Sequence, residues 1–504
     1  MAFMKKKDFL ILGLVFIFGL VLRYLSIYKA NIVFDYDQIE DIFLTKRIVV
    51  DHDLPVIGRA IYGNPNLHHG IVYFYYNIIP FILFRWNPLS LALWNSIFNA
   101  GVSIILFFLA KSMFKRTLPA YISAILAATS YHMIQFSGWI SSTTITIVTV
   151  PLFFCGLWWY HQKRKWGLVL ALFFLGVSIQ AELFFLYLIP IFAIYWLMFR
   201  PRVPEIRIFI WSVAALLLSL STVVLTEIKL SFAGVKSLIN FTTLFSDSSF
   251  TYTERFYLFY KEMSQTFAYG ILPHMPFSGS IVLIIVILGL AVLLFSQTVI
   301  KEEKNAIAFL MLYLLSPVLM LFLGFHDHPW VLIGIIPVIS LVVGYIISKI
   351  KYVWLIVPLL IIISISNISQ ISKGQVIFKP ETSVVLASQL SVVDYTFQEA
   401  GGKPFDINAI SYPLHHNGIW AYHYNWYGKA KYGYLPGWLG PQFDPLYKNL
   451  LVAGNRGKIY FLIMDKSYRI PEVHRENARI WANESGKLVS EKEINGFIVQ
   501  KLIR

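Results

Sequence analysis

The stretch NIVFDYDQIEDIF, residues 31–43, holds four carboxylates within seven positions: Asp35, Asp37, Glu40 and Asp41. It follows an apolar run long enough to cross a bilayer. A carboxylate beside a hydroxyl can take its proton as the oxygen attacks an electrophilic carbon. Acids in a loop are ordinarily just solvated, and on their own these four would be read that way. The chain continues as DIFLTKRIVVDHDLP, however, with apolar residues at helical spacing. The acids therefore open an amphipathic helix, where its dipole also favours negative charge.

Other groups able to do chemistry are few. His68 and His69 follow in the same loop, after Arg59. An imidazole near its reference pKa of ~6.5 can be charged beside an anion. The plain alternatives are interfacial hydrogen bonding for the histidines and snorkelling toward headgroups for Arg59. Gln180 and Glu182 sit in SIQAELFF, where a carboxylate in apolar surroundings is costly and either paired or functional. FHDHPW (325–330) carries His326, Asp327 and His328; three adjacent residues cannot all aim at one ion from regular structure, which disfavours zinc. A polar cap on a helix facing a cavity suits them better. The aromatic and basic stretch 420–438 can stack on sugar rings or rest as a belt on headgroups.

The elements that must position these groups are membrane helices. Of 504 residues, 57% are hydrophobic, 17% aromatic and only 14% charged, which fits a multi-pass membrane protein rather than a soluble domain. The net charge of +15 is spread over short Lys/Arg clusters between apolar runs, so it sets topology and does not indicate nucleic acid. The lone Cys155 supports no disulfide framework. The N-terminal apolar run is long and no small-residue cleavage site follows, which predicts an uncleaved first helix.

Spanning helices are expected at about 8–28, 89–110, 118–136, 142–160, 166–181, 183–199, 207–226, 279–297, 304–323, 329–348 and 352–369. The stretch 71–84, IVYFYYNIIPFILF, is short and contains Pro80, so it suits an interfacial or re-entrant segment. Eleven spans then place KSMFKR (111–116), HQKRK (161–165), RPRVPEIR (200–207), KEEK (301–304) and KIK (349–351) on the cytoplasmic side with the N-terminus. The acids, His68–His69, the Gln180–Glu182 junction and 326–328 all fall outside. The loop 227–278 is expected against that same outer surface.

After residue 369 the pattern changes. Within 370–504 a helix is expected at 382–400, a turn at GGKP, strands at FDINAIS, KIYFLIMD and NGFIVQKLI, and a helix near 471–483. The fold class is thus mainly α, a polytopic transmembrane domain (1–369, with its outer loop at 29–88) followed by a small extracytoplasmic α/β domain (370–504).

The run YDQIEDIFLTKRIVVDHDLPVIGRAIYGNPNLHHGIVYFYY (36–76) resembles the first outer loop of the family containing protein O-mannosyltransferases and lipid A aminoarabinose transferases. These are polytopic glycosyltransferases of the GT-C class. That family opens a surface helix with an Asp-Glu pair, makes a Gly-Asp-Trp-like turn, and follows with Gly-x-Pro-x-Leu-Asp-Lys-Pro-Pro and aromatics. Here Asp37-Gln38 occupies the pair and DHDLP the turn, and Gly63, Pro65 and Leu67 are kept. Gln38 replaces the Glu, His68-His69-Gly70 replaces Asp-Lys-Pro, and FSGWISSTT stands where a further Asp is expected. The match covers about the first 200 residues; beyond them it is one of architecture.

The resemblance implies transfer of a sugar from a polyprenyl-phosphate carrier to an acceptor hydroxyl, with inversion, on the outer face of a plasma membrane. Asp37 is the implied base, with Asp35 as second candidate, as its orienter, or as partner in holding a divalent cation. His69, His68, Arg59 and His328 are the candidates for the phosphate. Glu182, Gln180, His326 and Asp327 are candidates to line the cavity. Two rival readings stand beside this: a transporter or flippase of lipid-linked saccharide, and a binder of such a lipid without turnover. Transporters place ionisable groups near the midplane and often show repeated halves; here the polar groups gather on one face and no repeat is visible. The acceptor, whether protein, lipid or glycan, is left open.

Overall fold

A computed structural model describes every residue except 1–5, 62–63, 245–250, 276, 324–328, 375–376, 378–380, 415, 441–451 and 454–456. The chain forms two compact units, both discontinuous in sequence. One comprises Met1–Ser26, Leu54–Tyr76 and Leu93–Ile377; the other comprises Ile27–Asp53, Asn77–Ala92 and Phe378–Arg504.

The first unit is helical. Among the described residues, eight helices are long and apolar enough to cross a membrane: Lys6–Ala30, Pro88–Phe114, Ser142–His161, Ile206–Lys229, Ser278–Phe295, Lys301–Leu321, Trp330–Ile347 and Val353–Lys373. The protein is therefore a multi-pass membrane protein; the described residues do not confirm the expected count of eleven. The expected span 118–136 breaks at Ser130, whose hydroxyl caps a second short helix by accepting from Met133 N, leaving Thr117–Thr129 and Tyr131–Ser137. Trp166–Ala181 and Leu183–Phe199 are shorter apolar helices, near the lower limit of what crosses a bilayer. The stretch 71–84 forms two short helices, Val72–Tyr76 and Ile78–Phe84, neither able to span alone.

The expected loop 227–278 is mostly helical, with Ala233–Leu244 and Tyr252–Ile271. The second of these starts at a capping box in which Thr251 and Glu254 satisfy each other's backbone N–H groups. Arg23 lies fully buried in the first apolar helix. Its guanidinium donates to Asn99 Oδ1 (2.8 Å), Gly19 O (2.8 Å), Ala128 O (3.0 Å) and Ala127 O (3.3 Å), the compensation a buried cation requires.

The second unit is built on a six-stranded sheet. Its strands are β3 (Phe405–Ile410), β4 (Gly437–Trp438), β5 (Val452–Ala453), β6 (Ile459–Asp465), β7 (Lys487–Ile494) and β8 (Phe497–Ile503), in the order β5-β4-β3-β6-β8-β7. The first two strands of the chain, β1 (Ala60–Ile61) and β2 (Asn64–His68), form a separate hairpin in the helical unit. β5, β4, β3 and β6 run parallel, and β8 pairs antiparallel with both β6 and β7.

Strand alternation sends Phe461 and Ile463 to one face, against Val392, Phe397, Trp420 and Tyr424. It sends Tyr460, Leu462 and Met464 to the other, against Ala478 and Ala482 of the Glu472–Ser485 helix. The first face is covered by Leu386–Ala400, whose exit through GGKP uses Gly401 (φ +59°) and Gly402 (φ +78°).

The segment after the first apolar helix is tied into this α/β unit. Val33 bridges Val385, Phe34 N donates to Val384 O (2.8 Å), and Leu386 N donates to Ile32 O (3.0 Å). The helix Tyr36–Val50 then buries Ile39, Ile42, Phe43 and Leu44 within the same unit.

Candidate functional site

In the α/β unit, Asp35 is the N-cap of the Tyr36–Val50 helix. Its Oδ1 accepts from Tyr36 N (2.7 Å), and Asp35 N donates to Gln38 Oε1 (2.7 Å), closing a capping box. Gln38 is 3% exposed, and the neutral amide does the backbone work a Glu would do at that position. Asp37, one residue inside the helix, is exposed on its first turn. A helical spacing of two also sends Asp35 and Asp37 in different directions.

Asp35 Oδ2 is 3.8 Å from Arg469 Nη1, and Arg469 Nε is 3.4 Å from Glu381 Oε1. Arg469 also lies over the Tyr412 ring, 4.4 Å from its centroid. Burial pushes the Asp35 carboxyl above the usual carboxylate range; the Tyr36 N–H and Arg469 oppose that, while the Asp37 and Asp465 charges add to it. Asp465, at the end of β6, is raised in the same way, chiefly by burial and despite the Ser467 N–H. Both oxygens of Asp35 are thus engaged, one by the helix and one by a guanidinium. Among the described residues no three His, Cys, Asp or Glu side chains converge on a cation position. Asp35 and Asp37 as they stand do not make a donor set for a divalent ion.

In the helical unit, β2 ends on His68 and His69 follows it. His68 turns Nδ1 to Gly58 O (3.0 Å) and Nε2 to Pro65 O (2.9 Å), so both ring nitrogens face backbone acceptors within its own hairpin. His69 N donates to Arg59 O (2.9 Å) and Gly70 N donates to Gln180 O (2.9 Å). A Cβ on Gly70 would come within 2.6 Å of that Gln180 oxygen, so the hairpin exit approaches the helix Trp166–Ala181 as only glycine can.

Glu182 ends that helix in extended backbone; its N donates to Ser178 O (3.1 Å) and its Oε2 accepts from Thr143 Oγ1 (3.0 Å). Its Oε1 is 3.3 Å from His69 Nδ1, which has no hydrogen-bond partner. The distance suggests an ion pair, but burial, reinforced by the Arg59 and His68 charges, lowers the His69 pKa to about 3. With no anion beside it, His69 is a neutral ring next to the Glu182 side chain.

Gln180 is buried and engaged within the helical unit. Its amide nitrogen donates to Ser219 O and its Oε1 accepts from Thr222 Oγ1 (3.0 Å), which ties two apolar helices together. His326, Asp327 and His328 lie outside the described residues. Two partners were not anticipated. Thr143 lies within the stretch where the family's further Asp was expected, and Arg469 follows the end of β6. Near Thr143, an apolar cavity of about 260 Å³ is lined by Val72, Tyr76, Phe98, Leu152, Phe174 and Val177, among others.

No protein-family model and no curated protein sequence matches the chain. Solved structures do. ArnT from Cupriavidus metallidurans bound to undecaprenyl phosphate is similar at a TM-score of 0.57 and 10% identity, over 97% of this chain and 98% of that one. The same protein in the apo state gives 0.56 and 10%, with the same coverage. An oligosaccharyltransferase from Archaeoglobus fulgidus, in complex with Zn and sulfate, gives 0.47 and 12% over 97% of this chain and 72% of that one; nothing is argued from it. At these identities the likeness establishes a shared fold. The likeness extends over nearly the whole chain, which shares with ArnT a polytopic helical fold and carries a C-terminal α/β unit.

Proposed function

We propose that this protein is a membrane glycosyltransferase that moves a sugar from a polyprenyl-phosphate carrier to an acceptor hydroxyl. The observation that carries this reading is the likeness over nearly the whole of both chains to a structure bound to undecaprenyl phosphate. The acceptor oxygen attacks the anomeric carbon, the bond from that carbon to the phosphate oxygen breaks, and the carrier phosphate leaves with the electron pair. Attack opposite the leaving group inverts the anomeric centre.

Each role is assigned from residue chemistry. The exposed carboxylate of Asp37 takes the acceptor proton. Asp35, held by its cap and by Arg469, positions the helix start and does not react. Arg59 supplies fixed charge to the departing phosphate, and His69 joins it when the anion arrives, since a phosphate beside the ring offsets the burial that keeps it neutral. Glu182 then accepts from the imidazolium. His68, His326, Asp327 and His328 are retained as candidates on the outer side. The apolar cavity suits the prenyl chain. No step is routed through a cation. The N-terminus is assigned to the cytoplasm and the α/β unit to the other side of the membrane, from the charged turns.

The test uses purified protein in lipid, a panel of polyprenyl-phosphate sugars and a cell-envelope extract as acceptor source, comparing wild type, Asp37→Asn and Asp35→Asn. Loss of sugar from the carrier in wild type, abolished by Asp37→Asn alone, is the expected result. If labelled carriers bind and no sugar ever leaves, the protein is a binder or flippase, and Gln38 in place of an acid becomes the reason.

A further inference from the structure

Lys163, Lys165, Arg200 and Arg202 line one cavity of about 280 Å³ at the Trp166 end of the Trp166–Ala181 helix, the opposite end from Glu182. One acid, Glu205, shares the lining and is paired with Lys165. Among the described residues the other three cations have no ion-pair partner. Clusters of Lys and Arg at helix ends usually do no more than fix topology. Here they border a defined cavity whose walls are apolar: Tyr160 and Ile208 line it and pack on Leu168, Phe192 and Trp196.

The loop is also held in place. Pro201 and Pro204 fix the backbone and supply no N–H, so anion recognition falls to the side chains. Tyr160 OH donates to Arg202 O at 2.6 Å, and Lys163 and Arg200 both adopt left-handed backbone (φ +64° and +41°) that ends the preceding helices. Beside the cavity, Val203 and Ile206 are 85% and 74% exposed.

A cationic rim over an apolar wall fits an amphiphile with a negative head. We propose that this cavity seats the phosphate headgroup of an anionic phospholipid, with its acyl chains along Val203 and Ile206. The proposal is independent of the transfer reaction.

The test is native mass spectrometry of the full chain in detergent with added phosphatidylglycerol, phosphatidylcholine or inorganic phosphate. Phosphatidylglycerol is expected to be retained over phosphatidylcholine. The triple variant Lys163→Gln/Arg200→Gln/Arg202→Gln should lose about a hundredfold in retention, from about fivefold per cation. A charge-matched variant of residues that neither line the cavity nor adjoin its lining in sequence, Lys301→Gln/Lys304→Gln/Lys351→Gln, should lose little. Equal loss in both triples, or equal retention of the two lipids, overturns the site. Displacement of phosphatidylglycerol by equimolar inorganic phosphate overturns the lipid in favour of a free anion. Should the triple variant fail to fold, the three single variants carry the same comparison.

Discussion

His69 Nδ1 lies 3.3 Å from Glu182 Oε1, while Thr143 holds the other oxygen of that carboxylate at 3.0 Å. The ring is neutral because burial, reinforced by the Arg59 and His68 charges, lowers its pKa. A ring with a folded pKa of about 3 binds fewer protons folded than unfolded, so its contribution to stability is intact above ~6.5 and declines as pH falls toward 3. The slope is about 1.4 kcal/mol per pH unit for one such ring. His423 in the α/β unit, also lowered to about 3 by burial, adds a similar slope. Melting curves between pH 7.5 and 4 should therefore flatten in His69→Gln without becoming level.

The same pair predicts a functional pH dependence. If a carrier phosphate charges His69, binding takes up a proton and tightens as pH falls from 7.5 to 5.5, by at most tenfold per unit. His69→Gln should weaken binding and remove that dependence. Titration of undecaprenyl phosphate into both proteins at three pH values decides it; an unchanged pH profile in the variant assigns the ring a purely structural role.

The capping box separates stability from activity at the acidic helix. Asp35→Ala should cost about 1 kcal/mol of stability, whereas Asp35→Asn keeps a good cap and should cost little. Asp37→Asn should leave the melting curve unchanged and lower transfer by about 10²–10⁴-fold. Gln38→Glu preserves the box and restores the family's acid; a rate increase with unchanged stability would show that the missing charge limits this enzyme.

Arg469 stands between Asp35 and Glu381 and beside Asp465, two of which are raised by burial. A raised carboxyl favours the fold in acid, and that contribution is lost as pH rises through the folded pKa. Asp465→Asn should therefore raise the melting temperature at pH 7.5 by a few degrees, with the gain gone by pH 4. Arg469→Met removes the opposing charge and should destabilise by about 1–2 kcal/mol at pH 7.5. Thermal unfolding of both variants at the two pH values checks the pair of signs.

Arg23 is held by four acceptors inside the first apolar helix. Arg23→Lys cannot reproduce the planar fork, and Asn99→Ala removes one of its acceptors. Either should cost about 1–3 kcal/mol, read as loss of the folded monomer during detergent challenge.

Much of the α/β unit was legible because its strands alternate cleanly. KIYFLIMD places Phe461 and Ile463 on one face and Tyr460, Leu462 and Met464 on the other, and β6 is where that pattern predicts. β7 was not anticipated: LVSEKE within Lys487–Ile494 is an edge strand with little buried, so it shows no apolar period. Hydropathy alone cannot see Ser130 capping a new helix start in the middle of an apolar run. The capping box Thr251-x-x-Glu254 was readable and marks the helix missed in the 227–278 region. At the site, Glu182 was visible as an acid in apolar surroundings. Thr143 and Arg469 were not visible as its and Asp35's neighbours, because those contacts join distant parts of the chain that no local pattern links.

Phe34 is bonded to Gln389, 355 residues further along the chain. At roughly 5–20 residues per second of synthesis, the Tyr36–Val50 helix exists for roughly 20–70 seconds before its partner segment is made. Through that interval Ile39, Ile42 and Phe43 have none of their final cover from the C-terminal segment. Burial of that helix face waits on synthesis of the C-terminal segment. Maturation of the acidic helix is thus a late event, set by the translation clock of the last quarter of the chain.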